Sequence, residues 1–198
     1  MRRALVLWVL TVTLVACAVT PPRAPVGVAK ESWRARQAAL SAITTWSFDG
    51  RIGVTLGKQG WHAGLRWQQR GKDYDIRISG PLGQGAGLLQ GGPSGVVLTT
   101  PDRKQTRAAD AESLMYAKFG WWVPVSGLRY WLRGLPDPAT PARTTLDAHN
   151  QLTHLVQADW DIHFTRYARV GAVSLPDRLT LENDTMKVKL IIDSWHVK

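Results

Sequence analysis

Cysteine is almost absent from this chain of 198 residues, which contains only Cys17. Without a second cysteine there is no internal disulfide, so the folded part must be stabilised by packing. Common catalytic motifs are missing too: there is no G-x-S-x-G turn, no H-E-x-x-H zinc motif and no glycine-rich loop ending in G-K-[ST]. His149 and His154 lack the glutamate that a zinc protease places between its histidines. We therefore expect no enzymatic activity, no metal and no cofactor.

Long basic runs are absent as well, although the formal net charge is +10 and the sequence pI is about 10.3. A basic protein can bind nucleic acid, an anionic membrane surface or an acidic protein. No five consecutive residues are Lys or Arg, which favours a dispersed and solvated basic surface. Since the N-terminus predicts export, we expect no nucleic-acid partner.

The N-terminus has the parts of an export signal. Met1, Arg2 and Arg3 form a short basic start, and residues 4–15 carry no charge but are too few to span a bilayer as a stable helix. Residues 14–17, Leu-Val-Ala-Cys, resemble the bacterial lipobox. The alternative is an ordinary secretory signal with an incidental cysteine, but the sole cysteine at this junction favours lipidation.

The lipobox predicts how the chain is processed and located. Residues 1–16 would be removed, and Cys17 would carry S-linked diacylglycerol and N-linked palmitoyl groups, which are the only modification we expect. Several acyl chains hold a protein on a membrane almost permanently. Ala18 stands where an aspartate often retains lipoproteins in the inner membrane. The sequence therefore predicts a lipid-anchored protein of the outer membrane, facing the periplasm.

The rest of the chain divides into a tether and a folded domain. Residues 17–30 are rich in proline and predict an extended tether, and residues 31–198 predict the domain. Within the domain, apolar and polar residues alternate along several segments, as in half-buried antiparallel strands. Helical signals occur at residues 31–45, at 111–119 with Asp110 as the N-cap and Gly120 as the stop, and at 127–133 with Ser126 as the cap and Gly134 at the end. Residues 137–143 predict a proline-rich loop. These elements predict a mainly β (α+β) fold, namely a curved antiparallel sheet or unclosed barrel with helices that close or plug one side.

The tryptophans and the glycine-rich segment 79–87 each allow two structural interpretations. Ten tryptophans are many for a chain of this length, and they can either fill a core or line an apolar cavity. Residues 79–87 are rich in glycine and contain one large apolar residue, Leu82, between Pro81 and Gly83. This arrangement favours a tight turn that projects Leu82; the alternative is an ordinary hairpin residue that packs onto the sheet.

Several segments, in their order along the chain, resemble the LolB family of outer-membrane lipoprotein receptors. The segments are the lipobox, Gly50-Arg51-Ile52, Leu65 to Gln69, Ser79-Gly80-Pro81-Leu82-Gly83, Asp110 to Gly120, Leu128 to Pro136 with its Trp-Leu-Arg-Gly-Leu-Pro core, Trp160, Leu175-Pro176 and Asp193-Ser194-Trp195. The resemblance extends from Cys17 to the C-terminus. It implies an unclosed antiparallel barrel whose helices cover an apolar cavity for acyl chains. It also implies that Pro81, Leu82 and Gly83 form a loop that helps to deliver cargo into the membrane.

The resemblance further implies a function and partners. The protein would accept triacylated lipoproteins from a LolA-like periplasmic carrier and insert them into outer-membrane phospholipid, acting as a monomer. If the alternating apolar side chains face a shared cavity, the best candidates for its wall are Trp67, Ile76, Ile78, Trp131, Trp160, Ile162, Val188 and Leu190. The alternative function is a structural or assembly lipoprotein that binds protein or polysaccharide on its sheet surface. That alternative predicts a filled interior.

Overall fold

The computed structural model describes residues 32–80, 87–120 and 122–198, which form one antiparallel sheet and three helices. The described residues belong to one compact unit, Glu31–Lys198. The helices are α1 (Trp33–Ser41), α2 (Ala111–Phe119) and α3 (Val125–Trp131). The strands are β1 (Thr45–Leu56), β2 (Gln59–Arg70), β3 (Asp73–Ser79), β4 (Gly87–Gly92), β5 (Gly95–Thr99), β6 (Gln105–Ala108), β7 (Ala142–Leu146), β8 (Leu152–Gln157), β9 (Trp160–Val170), β10 (Val173–Glu182) and β11 (Met186–Val197).

The strand order joins the N-terminal and C-terminal strands of the domain in the middle of the sheet. Among the described residues the sheet runs β6-β5-β4-β3-β2-β1-β11-β10-β9-β8-β7, so the first and last strands pair in its middle. Strands β6 and β7 are its two edges, and the sheet is not closed into a barrel. The predicted fold class, mainly β with an unclosed antiparallel sheet and accompanying helices, is confirmed.

The period-two pattern selects the face of the sheet that is buried. In β2, for example, Ala63, Leu65 and Trp67 are buried while the residues between them are more exposed. Alternate side chains of a strand point to opposite faces, so one face collects the apolar residues of every long strand. The main core extends along this face and includes residues from α2 and α3.

The predicted helices are confirmed in number, and α2 is confirmed in its bounds. The Asp110 carboxylate accepts a hydrogen bond from the Ser113 N–H at 2.7 Å, and Gly120 ends the helix with a φ of 76°. Helix α1 is shorter than the predicted 31–45. Arg36 of this helix is buried, and its Nη2 donates to the Ser174 carbonyl oxygen at 2.6 Å.

The predicted cap of α3 is wrong. The helix begins at Val125, not Gly127, and Ser126 does not cap it. Instead the backbone N–H and the hydroxyl of Ser126 both donate to the Glu112 carboxylate, at 2.8 and 2.6 Å. A tertiary contact with α2 therefore uses the polar groups that a local pattern assigned to capping. The helix ends at Trp131, two residues before the predicted end, and Gly134, with a φ of 75°, lies in the turn that follows.

The alternating pattern does not indicate the two edge strands, β6 and β7, or the start of β10. Strand β6 was not predicted, and β7 extends into the predicted loop 137–143, because both are short and polar and are held by backbone pairing to a longer neighbour. Strand β10 begins at Val173, before Pro176, because a register irregularity at Pro176 accommodates the missing N–H.

The predicted signal peptide, residues 1–16, lies outside the described residues. The predicted lipidation site at Cys17 and the tether, residues 17–30, lie outside them too. Among the residues that the structure describes, no helix is long and apolar enough to cross a membrane.

Gly50 allows the central strands to approach each other. A Cβ atom at this position would clash with the carbonyl oxygen of Ile191, and this backbone oxygen cannot rotate away as a flexible side chain could. Asp193 is the extra residue of a bulge at this point of the β1–β11 pair, so the two strands are locally irregular here.

We predict that Gly50→Ala lowers the free energy of unfolding by about 2–3 kcal/mol, because the methyl group forces the β1 and β11 backbones apart. Gly53→Ala on the same strand is the matched control. A Cβ there meets no atom within 4 Å, so its stability should be unchanged or slightly higher. Urea unfolding of both variants measures the difference. Equal stabilities would contradict the role given to Gly50.

Candidate apolar cavity

An apolar cavity of about 620 Å³ lies between the sheet and the helical segment of the chain. Its volume is within the range of about 300–1,000 Å³ that is typical of ligand pockets. Strands from both halves of the sheet form one wall, and residues of α2, α3 and the connection between them form the other. Apart from tryptophan N–H groups, His62 and Thr100 supply the only polar side chains among the lining residues that the structure describes.

Most of the residues predicted for the cavity wall lie in it. The structure places Trp67, Ile76, Ile78, Trp131, Trp160, Val188 and Leu190 among the lining residues. Ile162 is the exception and corrects the prediction. It is fully buried but does not line the cavity, because it belongs to the filled part of the core together with Leu155, its equally buried register partner on β8.

Further lining residues were not among the predicted set. They include Val54, Ala63 and Leu65 from the sheet, and Met115, Val123 and Leu128 from the helical segment. The sheet residues share a face with the predicted ones, so the alternating pattern could have found them. The helical residues depend on where the segment folds over the sheet, which no local pattern shows.

Some tryptophans line the cavity and at least one other belongs to the filled core, so both roles considered from the composition occur. Trp61, Trp67, Trp131 and Trp160 line the cavity. Trp46 instead packs with other rings as solid core, with its centroid 5.8 Å from that of Trp67 and an 8° angle to Phe48 at 6.2 Å.

Two buried glutamines satisfy the N–H groups of two lining tryptophans. The Gln69 side-chain oxygen accepts from Trp67 Nε1 at 2.9 Å, and the Gln157 oxygen accepts from Trp131 Nε1 at 2.7 Å. Both glutamines are nearly inaccessible, at 3% and 2% exposure. Each indole therefore presents its apolar surface to the cavity without leaving a polar donor unpaired.

Sequence reasoning missed these glutamines, although a signal existed. Gln69 shares its strand parity with Leu65 and Trp67, and Gln157 shares its parity with Leu155. A glutamine on a buried face indicates a specific hydrogen-bond partner, because glutamine is seldom buried otherwise.

Polar contacts fix the helical wall from outside the cavity. Arg133 Nη1 donates to the carbonyl oxygens of Leu40 and Ile43, at 3.0 and 2.7 Å, which ties the end of α3 to α1. Burial lowers the pKa of Arg133. Burial also raises the pKa of Tyr74 on β3 to about 12, with the nearby Glu112 and Asp110 contributing, so its phenol stays neutral at physiological pH.

Exposed aromatic side chains occur next to the cavity. Trp61 lines it and is 37% exposed, while Tyr116 and Trp122 are 60% and 56% exposed and adjoin the lining residues Met115 and Val123. The rings of Tyr116 and Trp122 are 6.5 Å apart. Large exposed aromatics beside an apolar opening are typical of contact surfaces.

The predicted loop residues Pro81, Leu82 and Gly83 lie outside the described residues, and so does Cys17. The residues on either side of the loop are described. Gly80 and Gly87, which flank residues 81–86, both line the cavity.

Comparison with known proteins identifies the family. The family model described as "Outer membrane lipoprotein LolB" matches residues 44–195, which is most of the chain. The chain belongs to the LolB family. Its relatives include the outer-membrane lipoprotein LolB of Nitrosococcus oceani, which is 36% identical over 94% of this chain and 93% of the relative. LolB of Pseudomonas aeruginosa is 39% identical over 83% of this chain and 80% of the relative.

Solved structures share the fold of this LolB family member at much lower identity. A DUF1329 family protein from Desulfovibrio piger superposes with a TM-score of 0.57 at 8% identity, covering 86% of this chain and 92% of that one. A LolA superfamily protein from Nitrosomonas europaea gives 0.52 at 8% identity, with coverages of 82% and 93%. LolB membership therefore assigns the chain to the outer-membrane proteins of lipoprotein localization, on a fold shared with the LolA superfamily.

We predict that Gln157→Leu destabilises the protein more than Gln69→Leu. The Gln157 side chain makes four hydrogen bonds, which join Trp131 to Asp137 and Thr140, whereas Gln69 makes two. At about 1 kcal/mol for each net bond, the expected losses are about 4 and 2 kcal/mol. Chemical denaturation measures both. If Gln69→Leu lowered the free energy of unfolding more than Gln157→Leu, the number of hydrogen bonds made by each glutamine would not determine the stability of the cavity wall.

Proposed function

We propose that this protein is an outer-membrane receptor that accepts lipoproteins from a LolA-like periplasmic carrier by enclosing their acyl chains. The large apolar cavity carries this proposal. Its wall combines sheet and helix residues around about 620 Å³ of space, and two of its tryptophan N–H groups are bonded to glutamines. The alternative function, a lipoprotein that binds partners only on its sheet surface, predicts a filled interior, which the cavity disfavours.

Acyl chains suit this cavity for a simple energetic reason. Each methylene removed from water is stabilised by about 0.8 kcal/mol, so several chains exposed in an aqueous compartment would be prohibitively unfavourable. A dry wall offers them a shielded site without specific polar contacts. Transfer then proceeds from carrier to receptor to bilayer by increasing affinity, with no chemical step required of this protein.

The anchor completes the proposal. Lipidation at Cys17 would hold the receptor on the periplasmic face of the outer membrane, with residues 17–30 as a tether. Mass spectrometry of the mature N-terminal peptide is the direct measurement. A peptide that begins elsewhere or carries no acyl chains would contradict the anchor.

Contact with outer-membrane phospholipid would occur on the side where the cavity meets the loop 81–86. Gly80 and Gly87 bring the ends of that loop to the cavity, and tryptophan and tyrosine are favoured at membrane interfaces. The exposed Tyr116 and Trp122 lie next to lining residues on the helical wall. The dispersed positive charge would attract an acidic carrier or anionic lipid, and the salt dependence of the transfer rate measures that contribution.

We predict that Ala63→Phe reduces the transfer of a lipoprotein from a loaded carrier at least tenfold. Ala63 is buried and lines the cavity, so a phenyl ring would occupy the space that an acyl chain needs. Ala168→Phe, on β9 and outside the cavity wall, is the matched control and should transfer normally. Co-purification of labelled cargo with the receptor measures capture. Normal capture by a folded Ala63→Phe variant would remove the cavity from the mechanism.

For the loop, we predict that Leu82→Glu leaves capture from the carrier unchanged and slows insertion of the cargo into liposomes. The substitution removes the apolar side chain and adds a charge that resists entry into the bilayer. Gln84→Glu adds the same charge in the same loop and should insert cargo normally. Unimpaired insertion by Leu82→Glu would exclude the proposed role of the leucine.

A further inference from the structure

A cluster of metal-ligating side chains lies on the face of the sheet opposite the cavity. Trp160 lines the cavity, and Ile162 and Phe164 are buried, so the alternation along β9 places Asp161 and His163 on the other face. His154 of β8 pairs directly with His163 in the strand register, and its side chain joins them. None of His154, Asp161 and His163 lines the cavity.

The three side chains converge on one point. The Nε2 atom of His154 lies 2.8 Å from Asp161 Oδ1, and the Nε2 atom of His163 lies 2.9 Å from the same oxygen. The two imidazole rings stack with centroids 4.6 Å apart and an angle of 9° between their planes. All three ligand atoms lie within 4.8 Å of one another.

This donor set selects a class of cation. Two imidazole nitrogens and one carboxylate oxygen suit Zn²⁺ and other divalent transition metals, whereas Ca²⁺ and Mg²⁺ prefer oxygen ligands alone. Ligands bound at about 2.0–2.1 Å around tetrahedral Zn²⁺ are a little over 3 Å apart. To receive the ion, the two nitrogens would move about half an ångström away from Asp161 Oδ1, and the two imidazole rings, whose centroids are 4.6 Å apart, would turn so that both nitrogens face it.

The surroundings are compatible with an ion at the surface. All three side chains are partly exposed, so water can complete the coordination. Glu182 of β10 is directly opposite Asp161 in the register and brings a second carboxylate to this part of the face, although Lys187 pairs with it at 2.6 Å. Thr180, opposite His163, adds no charge.

We propose that His154, Asp161 and His163 form a binding site for a divalent transition metal such as Zn²⁺. The ion would join β8 to β9 by side chains, in addition to the backbone pairing, and would stabilise this end of the sheet. Since the site is on the face away from the cavity, metal and acyl chains would bind independently. The proposal does not rest on the receptor function.

The test is isothermal titration calorimetry, in which ZnCl₂ is added to the untagged full chain in detergent micelles. We expect saturable binding of one Zn²⁺ per chain, and a loss of affinity of at least about tenfold in both His154→Gln and His163→Gln. His149→Gln and His196→Gln remove exposed histidines elsewhere and should bind as the natural chain does. MgCl₂ should give no saturable binding. Absence of saturable Zn²⁺ binding, or full affinity in His163→Gln, would overturn the proposal.

A second measurement uses the unaltered chain, so it does not depend on the folding of any variant. Modification by diethyl pyrocarbonate, mapped by mass spectrometry, should slow at least fivefold at His154 and His163 when Zn²⁺ is added, and should not change at His149 or His196. Equal protection of all four histidines, or none, would contradict a site at these residues. Zn²⁺ at about ten times its dissociation constant should also raise the unfolding midpoint by about 3–6 °C.

Discussion

A cavity inside a protein stays free of water only when the polar groups of its wall have partners elsewhere. In this chain that condition falls mainly on the indole N–H groups of four lining tryptophans, because His62 and Thr100 are the only other polar side chains of the described lining. Gln69 and Gln157 accept from Trp67 and Trp131 while being almost wholly buried themselves. Gln157 also holds the backbone of residues 137 and 140, so the same side chain that keeps the wall apolar fixes the segment that follows α3.

The sheet provides the second requirement, a wide wall assembled from distant parts of the chain. Strands β1 and β11, near the two ends of the domain, pair in the middle of the sheet, and Gly50 permits their close approach. Lining residues come from both sides of this pair, including Ile76 on β3 and Trp160 on β9. The cavity therefore exists only when strands β1–β5 and β9–β11 have paired, which couples the binding site to the global fold.

The sequence predicted local features well and non-local ones poorly. Alternation along the strands placed six of its seven proposed wall residues correctly, and the apolar side of the predicted helix 127–133 placed Trp131. Asp110 and Gly120 predicted the ends of α2 correctly, because these signals all depend on neighbouring positions. Ile162 was misplaced because parity shows which face a side chain occupies but not whether that part of the face is filled. Ser126 was misassigned as a cap because its partner, Glu112, is fourteen residues away. The pairing of His154 with His163 depends on strand register, which motif spacing does not reveal.

The open sheet leaves two edge strands, and their length and charge affect whether neighbouring copies of the protein can aggregate on a membrane. An unpaired edge can add a strand from a neighbouring molecule and begin aggregation. Here β6 has four residues and contains Arg107, and β7 has five, contains Arg143 and follows Pro141. Short edges with a positive charge are poor templates for strand addition, so neighbouring copies would repel one another where their sheets end. An incomplete barrel can thus stay open for ligands without promoting self-association through its strand edges.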